Sequence, residues 1–315
     1  MQSCFIYDVL HNGEKLVVVC PSEIVPPLII QLSGKDERFD VAVCPHRHTY
    51  IYTLAIPYQP IISLQVGETL LIDLPVNRYP AFKGEILMST LLKDEDDYIV
   101  QWIEYHRRLG VDRFILYDNS GNGTLEKKVE SYIDEGTVLL IKWVYPLYLP
   151  VSGRSGQTTQ QNHSIYAFPD AKYIGLFDVD EYVNPQMGFR RIDDLLESIL
   201  SCLAFDYNNI GTFRLLSKHF VCPTTDESGY KFLETYTCGP LLTNSYEKNF
   251  VIPRNVQTFS VHTLTLGKHI YTISERLLRF NHYIFLNKPD RGRDDTPCEN
   301  DRTITRHLSF IKRIE

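Results

Sequence analysis

The chain has no apolar run near the ~20 residues that a membrane-spanning helix needs. Its first eight residues, Met1 to Asp8, carry an acid and no basic stretch, so they do not read as a secretory leader. Seven cysteines are scattered over 315 residues without one C-x-x-C pair, which argues against a structural zinc knuckle. Their odd number and the chain length argue against a disulfide framework as well. Reduced thiols in a cytoplasmic setting are the expectation, with Cys222–Cys238 the one pairing left open. An excess of positive charge is also missing. A net charge of -7 weighs against non-specific binding to nucleic acid or anionic membranes. There are no internal repeats, no low-complexity tracts and no coiled-coil heptads. The glycines of Asp118–Thr124 are not followed by Lys-Ser/Thr, and G-x-G-x-x-G does not occur, so the Walker A and dinucleotide fingerprints are excluded.

What is present is an ordinary soluble composition, 43% hydrophobic and 23% charged, enough for one large domain or two modest ones. Residues 1–82 read as all-β. Short apolar or alternating runs (16–20, 28–32, 39–43, 50–56, 61–65 and 69–74) are separated by Gly, Pro and Asn turns. The segment 75–80 reads as a linker. From residue 83 onward the pattern changes to alternating strands and helices. Strands are expected at 86–92, 113–117 and 137–144, with a fourth ending at Asp178. Amphipathic helices are expected at 96–109, from a Thr124 cap, and at 192–203. The polar stretch 152–163 is expected to lead into a short helix. This order predicts a mostly parallel sheet with helices on both faces.

In open α/β sheets ligands bind at the carboxyl edge of the strands. Three features land there: Lys93 with Glu95, the glycine-rich loop from Asp118, and the pair Asp178-Val-Asp180. In an extended backbone the i, i+2 spacing points both carboxylates to one side. Their repulsion calls for a cation, and a divalent metal carrying a phosphate-bearing ligand meets that need. Two other readings of the same residues stand beside this one. One is a D-x-D phosphatase, weakened by Tyr182 and by the motif's late position. The other is a binding protein without turnover. Two N-glycosylation sequons occur, at Asn122 and Asn162. A glycan on Asn122 would obstruct the loop after Asp118.

The run from Lys93 to Ser120, with its Trp102-x-x-Tyr105-His106 helix, its Leu-Gly-Val and its Tyr-Asp-Asn turn, resembles glycosyltransferase family 92 and related family-2-like domains. So do Gln161-Asn-His-Ser, Phe177-Asp-Val-Asp-Glu-Tyr-Val-Asn-Pro185, Lys248-Asn-Phe-Val-Ile-Pro253, Val261-His262 and Phe280-Asn-His-Tyr283. The resemblance covers about residues 86–293. It implies an α/β GT-A fold and an inverting enzyme. Such an enzyme would use Mn²⁺ or Mg²⁺ and a UDP-sugar (galactose, xylose or glucose), with a glycan or glycoprotein as acceptor. Carried over, Asp118 would meet the uracil, and Glu95 or Lys93 the nucleoside. Asp178 and Asp180 would hold metal and ribose. His262 or His282, with His262 slightly preferred, would complete the metal shell. Lys288, Arg291 and Arg293 could reach the phosphates. Glu234 is the first choice for the base on the acceptor hydroxyl, with Asp226 and Glu227 as alternatives. Relatives of this kind in animals and plants carry a membrane anchor and a cysteine where this chain has Ser164. A soluble microbial or viral version, in the host cytoplasm if viral, is therefore the expectation.

Overall fold

The computed structural model describes residues 6–21, 28–32, 35–38, 40–43, 49–66, 69–149, 153, 155–203, 206–220, 238–239, 247–284, 286 and 299–308. The first region is all strand: Asp8–His11 (β1), Leu16–Pro21 (β2), Leu28–Leu32 (β3), Lys35–Arg38 (β4), Asp40–Val43 (β5), Thr49–Leu54 (β6), Ile61–Val66 (β7) and Thr69–Pro75 (β8). They form two antiparallel four-stranded sheets, β1-β2-β6-β5 and β4-β3-β7-β8. Val9, Val18, Tyr52, Ile62 and Leu64 fill a core between them. β2 is buried along its whole length. Alternate residues Leu16, Val18 and Cys20 face that core, while Val17 and Val19 join a cluster with Leu87, Ile115 and Ile174 of the second region. A continuous Leu-Val-Val-Val-Cys run is what a strand covered on both faces requires.

The second region contains Ile86–Leu92 (β9), Ile99–Arg108 (α1), Arg113–Asp118 (β10), Thr124–Asp134 (α2), Val138–Lys142 (β11), Ser155–Ala167 (α3), Tyr173–Leu176 (β12), Glu181–Pro185 (β13) and Ile192–Leu203 (α4). Ile210–Phe220 (β14), Cys238–Gly239 (β15), Glu247–Val251 (β16), Val256–Phe259 (β17), Leu264–Gly267 (β18), His269–Thr272 (β19), Leu278–Tyr283 (β20), Glu299–Asn300 (β21) and Thr305–Leu308 (α5) follow. One nine-stranded sheet runs β11-β10-β9-β12-β16-β14-β20-β13, with β19 beside β14. The sheet is mixed rather than mostly parallel. β11, β10, β9 and β12 are parallel, β16 then pairs antiparallel with both β12 and β14, and β13 is antiparallel to β20. The parallel quartet is built by helical crossovers through α1, α2 and α3.

Side chains alternate across the quartet. Met88, Phe114 and Leu116 face α1, α2 and α4, while Leu87, Ile115 and Ile174 face α3 and the first region. α1 ends in a Schellman arrangement, with Gly110 N donating to Arg107 O and Val111 N to His106 O. Gly110 has φ of 92°, the left-handed value that such an ending needs. α2 is capped by Gly123, with Thr124 as its first residue.

The largest departure from the sequence pattern is α3. The polar stretch is itself the helix, and Thr158 to Ser164 are all buried. Its polar side chains satisfy one another and their neighbours. Asn162 bonds Thr158 O at 2.8 Å and Phe259 O at 2.7 Å, and Gln160 Nε2 donates to Ser89 Oγ at 2.8 Å. His163 lies between Asp8 Oδ2 and Tyr117 OH, 2.7 Å from each, and so ties the first region to the central strands. The buried Asn162 sequon offers no acceptor in the folded chain, whereas Asn122 is exposed. At Gly156 an added Cβ would lie 2.5 Å from Pro146 O and 2.7 Å from Leu147 Cα, both backbone. Gly156→Ala is predicted to cost about 1–3 kcal/mol, read as a lower urea midpoint. An unchanged midpoint would show that α3 can withdraw from this loop freely.

Candidate active site

The chain order along the quartet is third, second, first, fourth, so the direction of winding reverses at β9. In open α/β sheets such a reversal is where ligands bind, outside the carboxyl ends of the strands. The loops after β9 and β10 are tied together there. Asn119 N donates to Leu92 O at 2.8 Å, and Asp94 N to Ser120 Oγ at 2.8 Å. Asp118 is buried, and its Oδ1 accepts from Ser120 N at 2.9 Å and Gly121 N at 3.3 Å, which sets the turn. Lys93 is exposed and Glu95 half-buried on the same edge.

Asp178 and Asp180 do not sit in extended backbone. They occupy a tight turn between β12 and β13, closed by Glu181 N on Asp178 O at 3.1 Å, with Asp178 N donating to Glu181 Oε2 at 2.9 Å. The turn sends the two carboxylates to different partners. Asp178 accepts from Lys248 Nζ at 2.7 Å and Gln157 Nε2 at 3.2 Å. Asp180 lies 3.4 Å from His282 Nε2. The β13–β20 register pairs Glu181 with His282, and this brings the histidine to the turn. Donor atoms of Asp180, Glu181 and His282 all lie within 4.8 Å of one another. His262, which the sequence preferred, is not in that group; its Nδ1 is 3.2 Å from Glu247 O in the loop between β17 and β18. Asp178, expected to share the metal, is outside the group too.

Lys248 was not assigned a role from sequence. It is 2% exposed and reaches Asp178 Oδ2 at 2.7 Å and Glu181 Oε2 at 2.9 Å. β16 puts it there: Asn249 pairs with Leu176, so Lys248 falls level with the start of the turn. Burial works to lower the ammonium's pKa, but the two carboxylates outweigh it and hold it above the usual value. Burial likewise works to raise the Asp178 carboxyl, and Lys248 overrides it and brings it below the ordinary range. Glu181 stays above its usual value. Burial dominates there, with Asp178 and Asp180 adding to it against Lys248. At His282 burial works to lower the pKa, and the Asp180 carboxylate prevails and raises it.

The turn is held from behind by α1. Trp102 Nε1 donates to Glu181 O at 3.0 Å, Tyr105 OH to Val183 O at 2.7 Å, and Val183 N to His106 Nε2 at 3.2 Å. The Trp-x-x-Tyr-His pattern is thus a brace on the backbone of β13. Burial pushes the His106 imidazole down to about 3, against a backbone hydrogen bond to Trp102 that raises it. The unfolded chain takes up a proton below about 6.5 while the folded chain does not, so stability is complete above 6.5 and is lost as pH falls. We predict a decline of up to about 1.4 kcal/mol per pH unit from this group between 6.5 and 3, and a shallower decline in His106→Gln. Urea melts at several pH values check it; equal slopes in both proteins would contradict it.

The sequence description of glycosyltransferase family 92 matches residues 88–308, more than half of the chain. The chain belongs to glycosyltransferase family 92. A family 92 protein of Ricinus communis is 22% identical over 219 residues, covering 65% of this chain and 37% of that protein. Another, from Arabidopsis thaliana, is 26% identical over 100 residues, covering 32% and 16%. These relatives are plant proteins, and this chain spans little more than a third of the Ricinus protein. A crystal structure of S. aureus TarS 1–349 in complex with UDP aligns over 64% of this chain and 60% of that one, at 9% identity and a TM-score of 0.38. The family 92 match takes in the α1 brace, the Asp178–Glu181 turn, Lys248 and His282. Asp226, Glu227, Glu234, Lys288, Arg291, Arg293 and the Cys222–Cys238 pairing lie outside the described residues.

Proposed function

We propose that this chain transfers a sugar, galactose, xylose or glucose, from a UDP-sugar to a glycan or glycoprotein acceptor with inversion, on a GT-A fold. Family membership supports the reaction class. The quartet order and its reversal at β9 support the fold. The observation that carries the site is the convergence of Asp180, Glu181 and His282 at the carboxyl edge, with donor atoms within 4.8 Å. A set of oxygens and one imidazole nitrogen suits Mn²⁺ or Mg²⁺, whose ligands sit about 2.1 Å from the ion and hence about 3–4 Å apart. When bound, such an ion would neutralise the charge developing on the departing nucleoside diphosphate. The chain's own residues do the rest. The Asp94–Ser120 and Asn119–Leu92 bonds fix the loop of Asp118 for the nucleoside, with Lys93 and Glu95 beside it. Lys248 keeps Asp178 ionised and holds both Asp178 and Glu181 in place. The acceptor's proton goes to a carboxylate base, for which Glu234, Asp226 and Glu227 remain the candidates.

A thermal-shift screen of nucleotide sugars with Mn²⁺ tests this reading, because a ligand that binds only the native state raises the melting temperature by mass action. UDP-sugars are expected to stabilise the chain and non-uridine nucleotide sugars to leave it unchanged. The same stabilisation by GDP- or CMP-sugars would contradict the uridine assignment.

A further inference from the structure

Asp118, proposed above for the nucleoside, stands between two neighbours whose side chains both lead to the first region. On one side, Tyr117 OH lies 2.7 Å from His163 Nδ1, and His163 Nε2 lies 2.7 Å from Asp8 Oδ2. On the other, Asn119 Nδ2 donates to Tyr145 O at 2.8 Å and also to Trp143 O. Tyr145 is itself held by Tyr7. Their rings stack with centroids 3.9 Å apart and planes 4° from parallel, and Tyr145 OH donates to Tyr7 O. Both chains of contact therefore end on two adjacent residues, Tyr7 and Asp8. The Asp8 end is fixed in turn, because Asn77 Nδ2 donates to its Oδ1 at 2.7 Å and Tyr79 OH to its Oδ2 at 2.8 Å. Burial works to raise the Asp8 carboxyl's pKa, but His163, Asn77 and Tyr79 outweigh it and bring it below the ordinary range. An ionised carboxylate only accepts, so His163 Nε2 donates to it and the orientation of the ring is set. An Asp-His-Tyr chain can pass a proton when its end meets a substrate. Here Tyr117 and His163 are fully buried, and burial pushes the Tyr117 phenol well above its usual value. The end next to the donor loop is closed to any substrate, so the role of this chain is mechanical.

We propose that Tyr7 and Asp8 are positioning residues for the donor: by gripping Tyr117 and Asn119 from the first region, they aim the Asp118 carboxylate and its loop at the nucleoside. The first region is then part of the scaffold of the donor site rather than a separate module. This role rests on the uridine reading above, whereas the grip on the loop is measurable without any nucleotide. Amide hydrogen exchange of the ligand-free chain, followed by NMR, reads the loop through Ser120 and Gly121, whose N–H groups are bonded to Asp118 Oδ1. Asp8→Asn keeps the shape of the side chain but turns an acceptor oxygen into a donor. Tyr145→Phe keeps the ring stack and removes the bond to Tyr7 O. Val18→Ala, in the core between the two sheets of the first region, controls for lost stability alone. Relative to the amides of β12, exchange at Ser120 and Gly121 is expected to quicken about tenfold or more in Asp8→Asn and in Tyr145→Phe, and not in Val18→Ala. Calorimetry of UDP with Mn²⁺ should then show an affinity about tenfold lower in the first two variants and unchanged in the control. Unchanged loop exchange in both variants, or the same acceleration in Val18→Ala, would overturn the grip. Faster exchange with undiminished UDP affinity would overturn the positioning role. A wild-type chain that binds no UDP would instead remove the uridine reading, and the exchange result would still decide the grip.

Discussion

Asp180→Ala is expected to lower the turnover of the UDP-sugar by about three orders of magnitude while the chain remains folded. The reasoning starts from the turn. Of the two aspartates in the motif, only Asp180 shares a ligand-sized space with Glu181 and His282, whereas Asp178 is taken up by Lys248 and Gln157. Removing Asp180 therefore takes away an anionic donor that no neighbour replaces. The backbone of the turn does not depend on that side chain, since Glu181 N on Asp178 O and Tyr283 N on Asp180 O persist without it. Turnover should collapse with little change in melting temperature. Donor hydrolysis measured beside a thermal melt checks both halves. Wild-type turnover in Asp180→Ala would remove the site assignment, and a lost fold would show the residue to be structural.

Lys248→Met is expected to have the largest effect on stability, about 3–5 kcal/mol, because it leaves Asp178 and Glu181 without their buried cation. Glu181 is 1% exposed and Lys248 2%, so water can reach neither to soften the loss. The test is a cycle of variants followed by urea unfolding. Lys248→Met alone should lower the midpoint steeply or prevent folding. Adding Glu181→Gln should recover a large part, since a neutral amide no longer needs the ammonium. If the single and double variants are equally destabilised, the lysine contributes packing rather than charge. The same pair predicts where activity fails. The double variant is expected to fold but turn over poorly, because Glu181 is also one of the three converging donors.

Local signals made much of the fold legible. The parallel strands, α1 with its glycine stop, and six of the eight strands of the first region fell where apolar period and turn residues put them, while β1 and β4 did not. The failures were non-local. α3 carries no apolar stripe, because its polar residues are satisfied by Ser89, Phe259 and Asp8 from other elements, and one sequence shows no such pairing. β4 is Lys-Asp-Glu-Arg, a charged strand without the usual alternation. The aspartate pair was visible as a motif, but the extended backbone assumed for it is a turn, so its two members serve different partners. His282 reaches the turn through the β13–β20 register, and Lys248 through the β12–β16 register. Pairings across about 70 to 100 positions decided both. A lysine in the middle of Glu-Lys-Asn-Phe-Val reads as a solvent-facing strand residue, and only the carboxylates opposite it explain its burial.

The measurement closest to the central claim is a calorimetric titration of UDP into the wild-type chain, with Mn²⁺ and again in EDTA. The account predicts saturable one-to-one binding with the metal and a loss of about tenfold or more in affinity without it, with Asp180→Ala binding weakly under both conditions. Equal affinity in Mn²⁺ and EDTA, or undiminished metal-dependent binding by Asp180→Ala, would contradict it.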